Sequence, residues 1–82
     1  MLFVKSSLKS ISNGVVVEVR SIAASSLKVK LLEMGITEGK QLKVLFRAPL
    51  GDPMAIDVGG YILSLRNSEA ELIEVEPILS VI

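Results

Sequence analysis

The chain contains no cysteine and no histidine, and these two absences exclude most nucleophile and metal chemistry. Without them there is no disulfide framework, no thiolate nucleophile, no imidazole base and no soft or imidazole metal ligand. A metal held by the remaining carboxylates alone would be a hard cation such as magnesium or calcium. We therefore expect no catalytic residues, no cofactor and no metal ligands.

The sequence also lacks an excess of charge and a long apolar run. Nine basic residues balance nine acidic ones, so the basic face that a general nucleic-acid binder needs is not expected. No apolar run approaches the ~20 residues that span a bilayer, and the apolar stretch Met1 to Val4 is too short for a signal peptide. These features predict a soluble intracellular domain, or a soluble partner of another protein.

The chain is rich in aliphatic residues, which are enough to form one small hydrophobic core. Half of the 82 residues are hydrophobic, and residues 1–82 are expected to form a single domain. Alternation of apolar and polar residues predicts short strands at 15–22, 41–46, 54–58, 61–66 and 73–76. Turns are predicted at Asn13-Gly14 and at Gly59-Gly60, the latter a two-residue hairpin.

One segment changes to helical spacing. Leu27, Leu31 and Met34 form a stripe within residues 23–34, a serine at 25 or 26 can cap its start, and Gly35 can end it. A Ser68-x-x-Glu71 capping box predicts a further helical turn. The N-terminal segment up to Ile11 is expected to form a loose strand or a helical turn. The predicted fold is mainly β: a small SH3-like barrel of about five strands with one inserted α-helix and a short helical turn.

The segment from Arg47 to Pro53 is the most restricted connection in the chain. Pro49 presets the backbone for the second position of a turn, and Gly51 suits the fourth. The Asp52 side chain is expected to cap a turn, and Asp57 lies on the opposite strand face, so the two carboxylates do not form a site.

Recognition is the function that this segment favours. Arginine beside apolar loop residues is a composition typical of interface centres. The alternative is that Leu50 folds into the core and both nearby arginines are simply solvated. The predicted partner-binding residues are Arg47, Pro49, Leu50, Gly51, Asp52, Pro53 and Arg66.

Several blocks in fixed order resemble the FeoA family over roughly residues 7–76. They are Leu32-Glu33-Met34-Gly35-Ile36, Gly39, Arg47 to Pro53, Gly60-Tyr61, Leu63 to Arg66, and Glu69-Ala70. The resemblance implies an SH3-like barrel with an inserted helix and a small cytosolic component of bacterial ferrous iron uptake. It implies a partner, the FeoB-type ferrous iron transporter, which is a GTP-binding membrane protein.

Three functions stay open on this resemblance. The first is a non-enzymatic regulatory module that docks on the transporter. The second is a transition-metal-binding sensor or delivery protein, which the missing histidine and cysteine disfavour. The third is a GTPase-activating partner, with Arg47 and Arg66 as the candidate arginine fingers. Homo-oligomer formation is also open.

Overall fold

The computed structural model describes residues 6–78, and β-strands make up most of its regular structure. The elements are β1 (Ser6–Ser7), a 3-10 helix (Leu8–Ser10), β2 (Val16–Ile22), α1 (Lys28–Glu33), β3 (Gln41–Arg47), β4 (Met54–Asp57), β5 (Ile62–Leu65), α2 (Asn67–Ala70) and β6 (Ile73–Pro77). The N-terminal segment therefore contains both alternatives predicted for it, as far as it is described. Met1 to Val4 lie outside the described residues. Among residues 6–78, no helix is long and apolar enough to cross a membrane.

The strands form one antiparallel sheet in the order β1-β6-β2-β3-β4-β5. The prediction of a mainly β, SH3-like fold is confirmed, with six strands because β1 adds to the predicted set. Within residues 6–78 the sheet is not closed into a continuous hydrogen-bonded barrel, since β1 and β5 are its two edges.

The core is built from side chains of β2 to β6, and Leu8 of the 3-10 helix and Leu31 of α1 belong to the same cluster. Its largest fully buried side chains are Leu8, Leu31, Ile36, Leu42, Met54, Ile56, Leu65, Ile73, Val17, Val19, Val44 and Val58. Full burial of an aliphatic side chain contributes about 1.5–3 kcal/mol, so an aliphatic core of this kind is the main stabilising term.

Helix α1 is shorter than predicted but ends as predicted. It begins at Lys28 with Leu27 at the N-cap position and no side-chain cap, so the predicted serine cap is wrong; Ser25 Oγ accepts from the Leu27 backbone N–H at 3.2 Å in the turn before the helix. At its end, Gly35 has φ +90° and donates to Leu32, while Ile36 donates back to Leu31 at 3.1 Å. This pair of bonds satisfies the last carbonyls of the helix, and only glycine adopts that φ without strain.

The predicted alternation in β3 is wrong at its end. The β3–β4 register shifts between Val44, which pairs with Ile56, and Phe46, which pairs with Ala55. This irregularity moves Phe46 to the outer face, where 58% of it is exposed.

The predicted Ser68-x-x-Glu71 capping box is also wrong. The short helix starts at Asn67, and Glu69 Oε1 accepts from the Arg66 backbone N–H at 2.9 Å. Asp52 Oδ1 of the β3–β4 connection accepts from the Asn67 backbone N–H at 3.0 Å at the same place. The start of α2 therefore has one local contact and one from a distant loop that local spacing does not reveal.

Candidate functional site

The connection from β3 to β4 is a closed, shaped loop. Its ends are joined by the Ala48 N–H, which donates to the Pro53 carbonyl at 3.0 Å. Inside it, Gly51 N–H donates to the Ala48 carbonyl at 2.7 Å, with Pro49 second and Gly51, at φ +87°, fourth in the turn. The turn predicted from the prolines and glycine is therefore present. We call residues 48–53 the proline loop.

The proline loop is fixed to the start of α2. Asn67 Nδ2 donates to the Gly51 carbonyl at 3.1 Å, and Asp52 accepts from the Asn67 backbone. Asp57, by contrast, accepts from the Gly60 N–H at 2.8 Å in the β4–β5 turn. The two aspartates therefore serve separate local structures and do not form a common site, as expected, although Asp52 accepts at the start of α2 and not within its own turn.

Leu50 lies at the tip of the loop and is 97% exposed. Pro49 and Pro53 on either side are exposed as well. The alternative that Leu50 folds into the core is therefore wrong. A leucine gains about 1.5–3 kcal/mol when its side chain is fully buried, so this tip has a large potential gain from contact with another surface.

Arg47 points away from the proline loop and into the fold. Its guanidinium donates to Asn13 Oδ1 at 2.7 Å and to the backbone carbonyls of Lys9 and Ile11 at 2.9 and 2.7 Å. These bonds tie residues 9–13 to the end of β3. Arg47 was predicted as a binding residue, and its described contacts are internal.

Arg66 stands at the same end of the sheet but has a different environment. Arg47 and Leu65 both pair with Met54, so both arginines flank the proline loop. Arg66 is exposed, and no carboxylate within residues 6–78 lies at ion-pair distance from its guanidinium. It lines a cleft of about 320 Å³ together with Lys30, Pro53, Ser64 and Glu69.

Glu69 forms the floor of this cleft. It is almost fully buried, and Oε2 accepts from Lys30 Nζ at 3.0 Å while Oε1 accepts from the Arg66 N–H. The pKa of Glu69 is lowered mainly by the hydrogen bond from the Arg66 N–H and next by the hydrogen bond from the Lys30 ammonium. Burial acts in the opposite direction and raises it. The carboxylate is therefore held ionised inside the fold.

Sequence reasoning missed Lys30, Ser64, Glu69 and the exposed Phe46. Lys30 and Glu69 are 39 residues apart in the sequence and meet only in the folded chain, so local spacing gave no signal for them. No cluster of three or more metal-binding side chains occurs in the part of the chain that the structure describes.

Fold and site together define a small SH3-like β-domain that presents a rigid apolar loop beside a cationic cleft. The model of the FeoA domain matches residues 6–77. The chain belongs to the FeoA family, as its sequence blocks indicated.

Three relatives describe the range of this similarity. The NMR structure of a FeoA-like protein from Clostridium acetobutylicum is 36% identical with a TM-score of 0.88, covering 99% of this chain and 94% of that one. The crystal structure of Stenotrophomonas maltophilia FeoA complexed with zinc, described as a procaryotic SH3 domain protein, is 25% identical with a TM-score of 0.73, covering 83% and 86%.

The third relative joins two proteins in one chain. It is the Fe(2+) transport protein A/Fe(2+) transporter FeoB fusion protein of Porphyromonas gingivalis, 45% identical over 51 residues, or 62% of this chain. This chain spans only 6% of the length of that fusion protein. Members of the family are thus associated with ferrous iron transport, and one is fused to the transporter itself.

Proposed function

We propose that this chain is a non-enzymatic, cytoplasmic accessory protein that docks on the cytosolic part of an FeoB-type ferrous iron transporter. The docking residues are Arg47, Pro49, Leu50, Gly51, Asp52, Pro53 and Arg66. Among them Leu50, Pro49, Pro53 and Arg66 make direct contact, and the remainder hold the loop in shape. Membrane association comes only through the partner.

The observation that carries this proposal is the exposed tip of a rigid loop. Leu50 is 97% exposed, yet the loop around it is held by four hydrogen bonds from Ala48, Gly51 and Asn67. A preorganised loop loses little conformational freedom on binding, so more of the gain from burying Leu50 remains as affinity. The fusion of FeoA and FeoB in a relative supports the choice of partner.

The proposal is tested by titrating the cytosolic GTP-binding domain of the transporter with wild-type protein and with Leu50→Asp. The variant is expected to bind at least tenfold more weakly, because a carboxylate replaces the apolar tip. Ile62→Asp is the matched control, since Ile62 is 65% exposed at the opposite end of β5. If Leu50→Asp and Ile62→Asp bind with equal affinity, the proline loop is not part of the interface.

A second candidate, stimulation of GTP hydrolysis in trans, is favoured by one observation: the guanidinium of Arg66 has no acidic partner among the described residues. Arg47 is the weaker candidate for an arginine finger, because its guanidinium already donates three hydrogen bonds within the fold. The assay is turnover by the GTP-binding domain with wild type, Arg66→Ala and the Arg47→Ala, Arg66→Ala double variant. Wild-type stimulation by the double variant excludes this mechanism.

The metal-sensor alternative does not fit the residues present. Iron in this system is the cargo of the transporter, and a resident ferrous or zinc ion is usually held by imidazole or thiolate ligands. Histidine and cysteine are absent from the sequence, and the carboxylates Asp52 and Glu69 already accept hydrogen bonds within the fold. Anaerobic calorimetry with ferrous iron tests this alternative, with only weak carboxylate-type binding expected.

A further inference from the structure

We propose that the cleft beside the proline loop binds a carboxylate side chain, aspartate or glutamate, of the docking partner. This inference rests on the proposed docking function and adds the chemistry of the second contact. The cleft is lined by Lys30, Pro53, Ser64, Arg66 and Glu69 and has a volume of about 320 Å³, room for one carboxylate group and its nearest methylenes.

The charges in the cleft are incompletely paired. Glu69 uses both oxygens internally, for the Lys30 ammonium at 3.0 Å and for the Arg66 N–H at 2.9 Å. The Lys30 side chain is 60% exposed and keeps donors that Glu69 does not use. The Arg66 guanidinium forms no ion pair within residues 6–78, and the two cations Lys30 and Arg66 face the single carboxylate of Glu69, so the cleft lining retains one surplus positive charge.

The residues that line the cleft include no acid besides Glu69. Asp52, which precedes Pro53, lies outside this lining, and its Oδ1 accepts from the Asn67 N–H at 3.0 Å. Sequence context makes the positive charge more distinctive: Arg66 is the only basic residue after Arg47, in a half of the chain that holds six acidic residues. A partner therefore meets two cationic side chains, Lys30 and Arg66, in a cleft whose lining holds one carboxylate.

The balance of charge favours a carboxylate over a phosphate group. A phosphate of charge near −2 would meet the buried, ionised Glu69 with only one surplus positive charge to offset it. A single carboxylate matches that surplus, and its planar group suits bidentate pairing with the Arg66 guanidinium. The Ser64 hydroxyl lines the same cleft and supplies a further donor.

The cleft is continuous with the loop surface. Pro53 belongs to both, being the last residue of the proline loop and a wall of the cleft. A partner segment that covers Leu50 with an apolar surface therefore carries its acidic side chain beside that surface. The apolar contact at Leu50 and the pairing of the partner's carboxylate with the cationic cleft together fix how the partner is positioned on this surface.

The test compares Arg66→Gln with Lys28→Gln in titrations of the transporter's cytosolic GTP-binding domain at 50 and 300 mM sodium chloride. Arg66→Gln keeps the backbone N–H that Glu69 accepts, so the fold is retained, and a melting curve checks this. Lys28→Gln removes one positive charge from α1 outside the cleft. We expect Arg66→Gln to bind about tenfold more weakly at low salt, with a flatter salt dependence, and Lys28→Gln to resemble the wild type.

The outcomes separate the two proposals. If the wild type binds, Leu50→Asp does not, and Arg66→Gln behaves like Lys28→Gln, the carboxylate proposal is overturned while docking stands. If the wild type does not bind, both are overturned. In a competition experiment at equal ionic strength, phosphate and acetate are each added to the complex. If inorganic phosphate displaces the partner far better than acetate does, the choice of a carboxylate is overturned. Restoration of binding to Arg66→Glu by an acid-to-lysine change on the partner supports it directly.

Discussion

The two flanks of the proline loop carry the same residue type in opposite roles. On one flank, the Arg47 guanidinium donates three hydrogen bonds to residues 9–13. On the other, Arg66 contributes its backbone N–H to Glu69 and leaves its guanidinium exposed at a cleft. The Arg47 guanidinium is thus used in hydrogen bonds within the fold, whereas the Arg66 guanidinium is exposed. In the proposed docking mode, the Arg47 flank is structural and the Arg66 flank contacts the partner.

The largest expected difference between the flanks is in stability. Arg47→Met removes three charge-assisted donors and leaves the Lys9 and Ile11 carbonyls to be satisfied by water, so we expect a loss of about 2–4 kcal/mol in the free energy of unfolding. Arg66→Met is the matched control and should change stability by less than about 0.5 kcal/mol. Urea denaturation measures both. Equal losses for the two variants would contradict the division into two flanks.

The anchor between the proline loop and α2 should have a smaller effect. Asp52→Ala removes the acceptor for the Asn67 N–H at the start of α2 and should cost about 1 kcal/mol. Asp52→Asn keeps a side-chain oxygen and should cost less than Asp52→Ala. Denaturation gives the stability, and amide hydrogen exchange of Gly51 reports the loop. Indistinguishable stabilities of both variants and the wild type would show that this contact does not hold the loop.

The flanks should also differ in their response to acid. Because the pKa of Glu69 is lowered in the folded state, its contribution is present above its unfolded pKa, near 4.3, and is lost as pH falls through the lower folded pKa. The acceptors of Arg47 are an amide oxygen and two backbone carbonyls, which do not titrate in this range.

Urea denaturation between pH 7 and pH 3 checks this contrast. The stability gap between wild type and Glu69→Gln should shrink as the pH falls, whereas the gap between wild type and Arg47→Met should stay nearly constant. A gap for Glu69→Gln that does not depend on pH would argue against an ionised Glu69 beneath the cleft.

The smallest stability effect is expected at the loop tip. Leu50→Asp changes a side chain that is 97% exposed, so the free energy of unfolding should move by less than about 0.5 kcal/mol. The same substitution at the fully buried Leu65 would unfold the domain, since it places a charge in the core. A marked loss of stability in Leu50→Asp would mean that the tip packs within the molecule.

The sequence predicted the parts of this molecule that local rules determine. The strand at residues 16–22, the Gly35 helix end and the Pro49-Gly51 turn follow from alternation, a glycine and a preset proline. Their geometry depends on residues close together in the chain, which is why spacing alone found them.

The failures occur where distant segments meet. The outward position of Phe46 follows a register shift against β4, and the start of α2 includes a contact from Asp52 of a distant loop. The cleft escaped sequence analysis because Lys30 and Glu69 are 39 residues apart and come together only in the packed fold. Arg47 and Arg66 were rightly placed near the loop, but which guanidinium is available depended on the position of residues 9–13.

The most direct test of the central claim, that the proline loop and its Arg66 flank form the docking surface, is an NMR titration. The isotope-labelled chain is titrated with the cytosolic GTP-binding domain of the transporter, and backbone amide shifts are followed. The account predicts the largest changes at Leu50, Gly51, Ser64 and Arg66, with small changes at the Gly59-Gly60 turn and at residues 9–13. Changes concentrated at that turn or on the outer face of α1, with the loop unaffected, would contradict it.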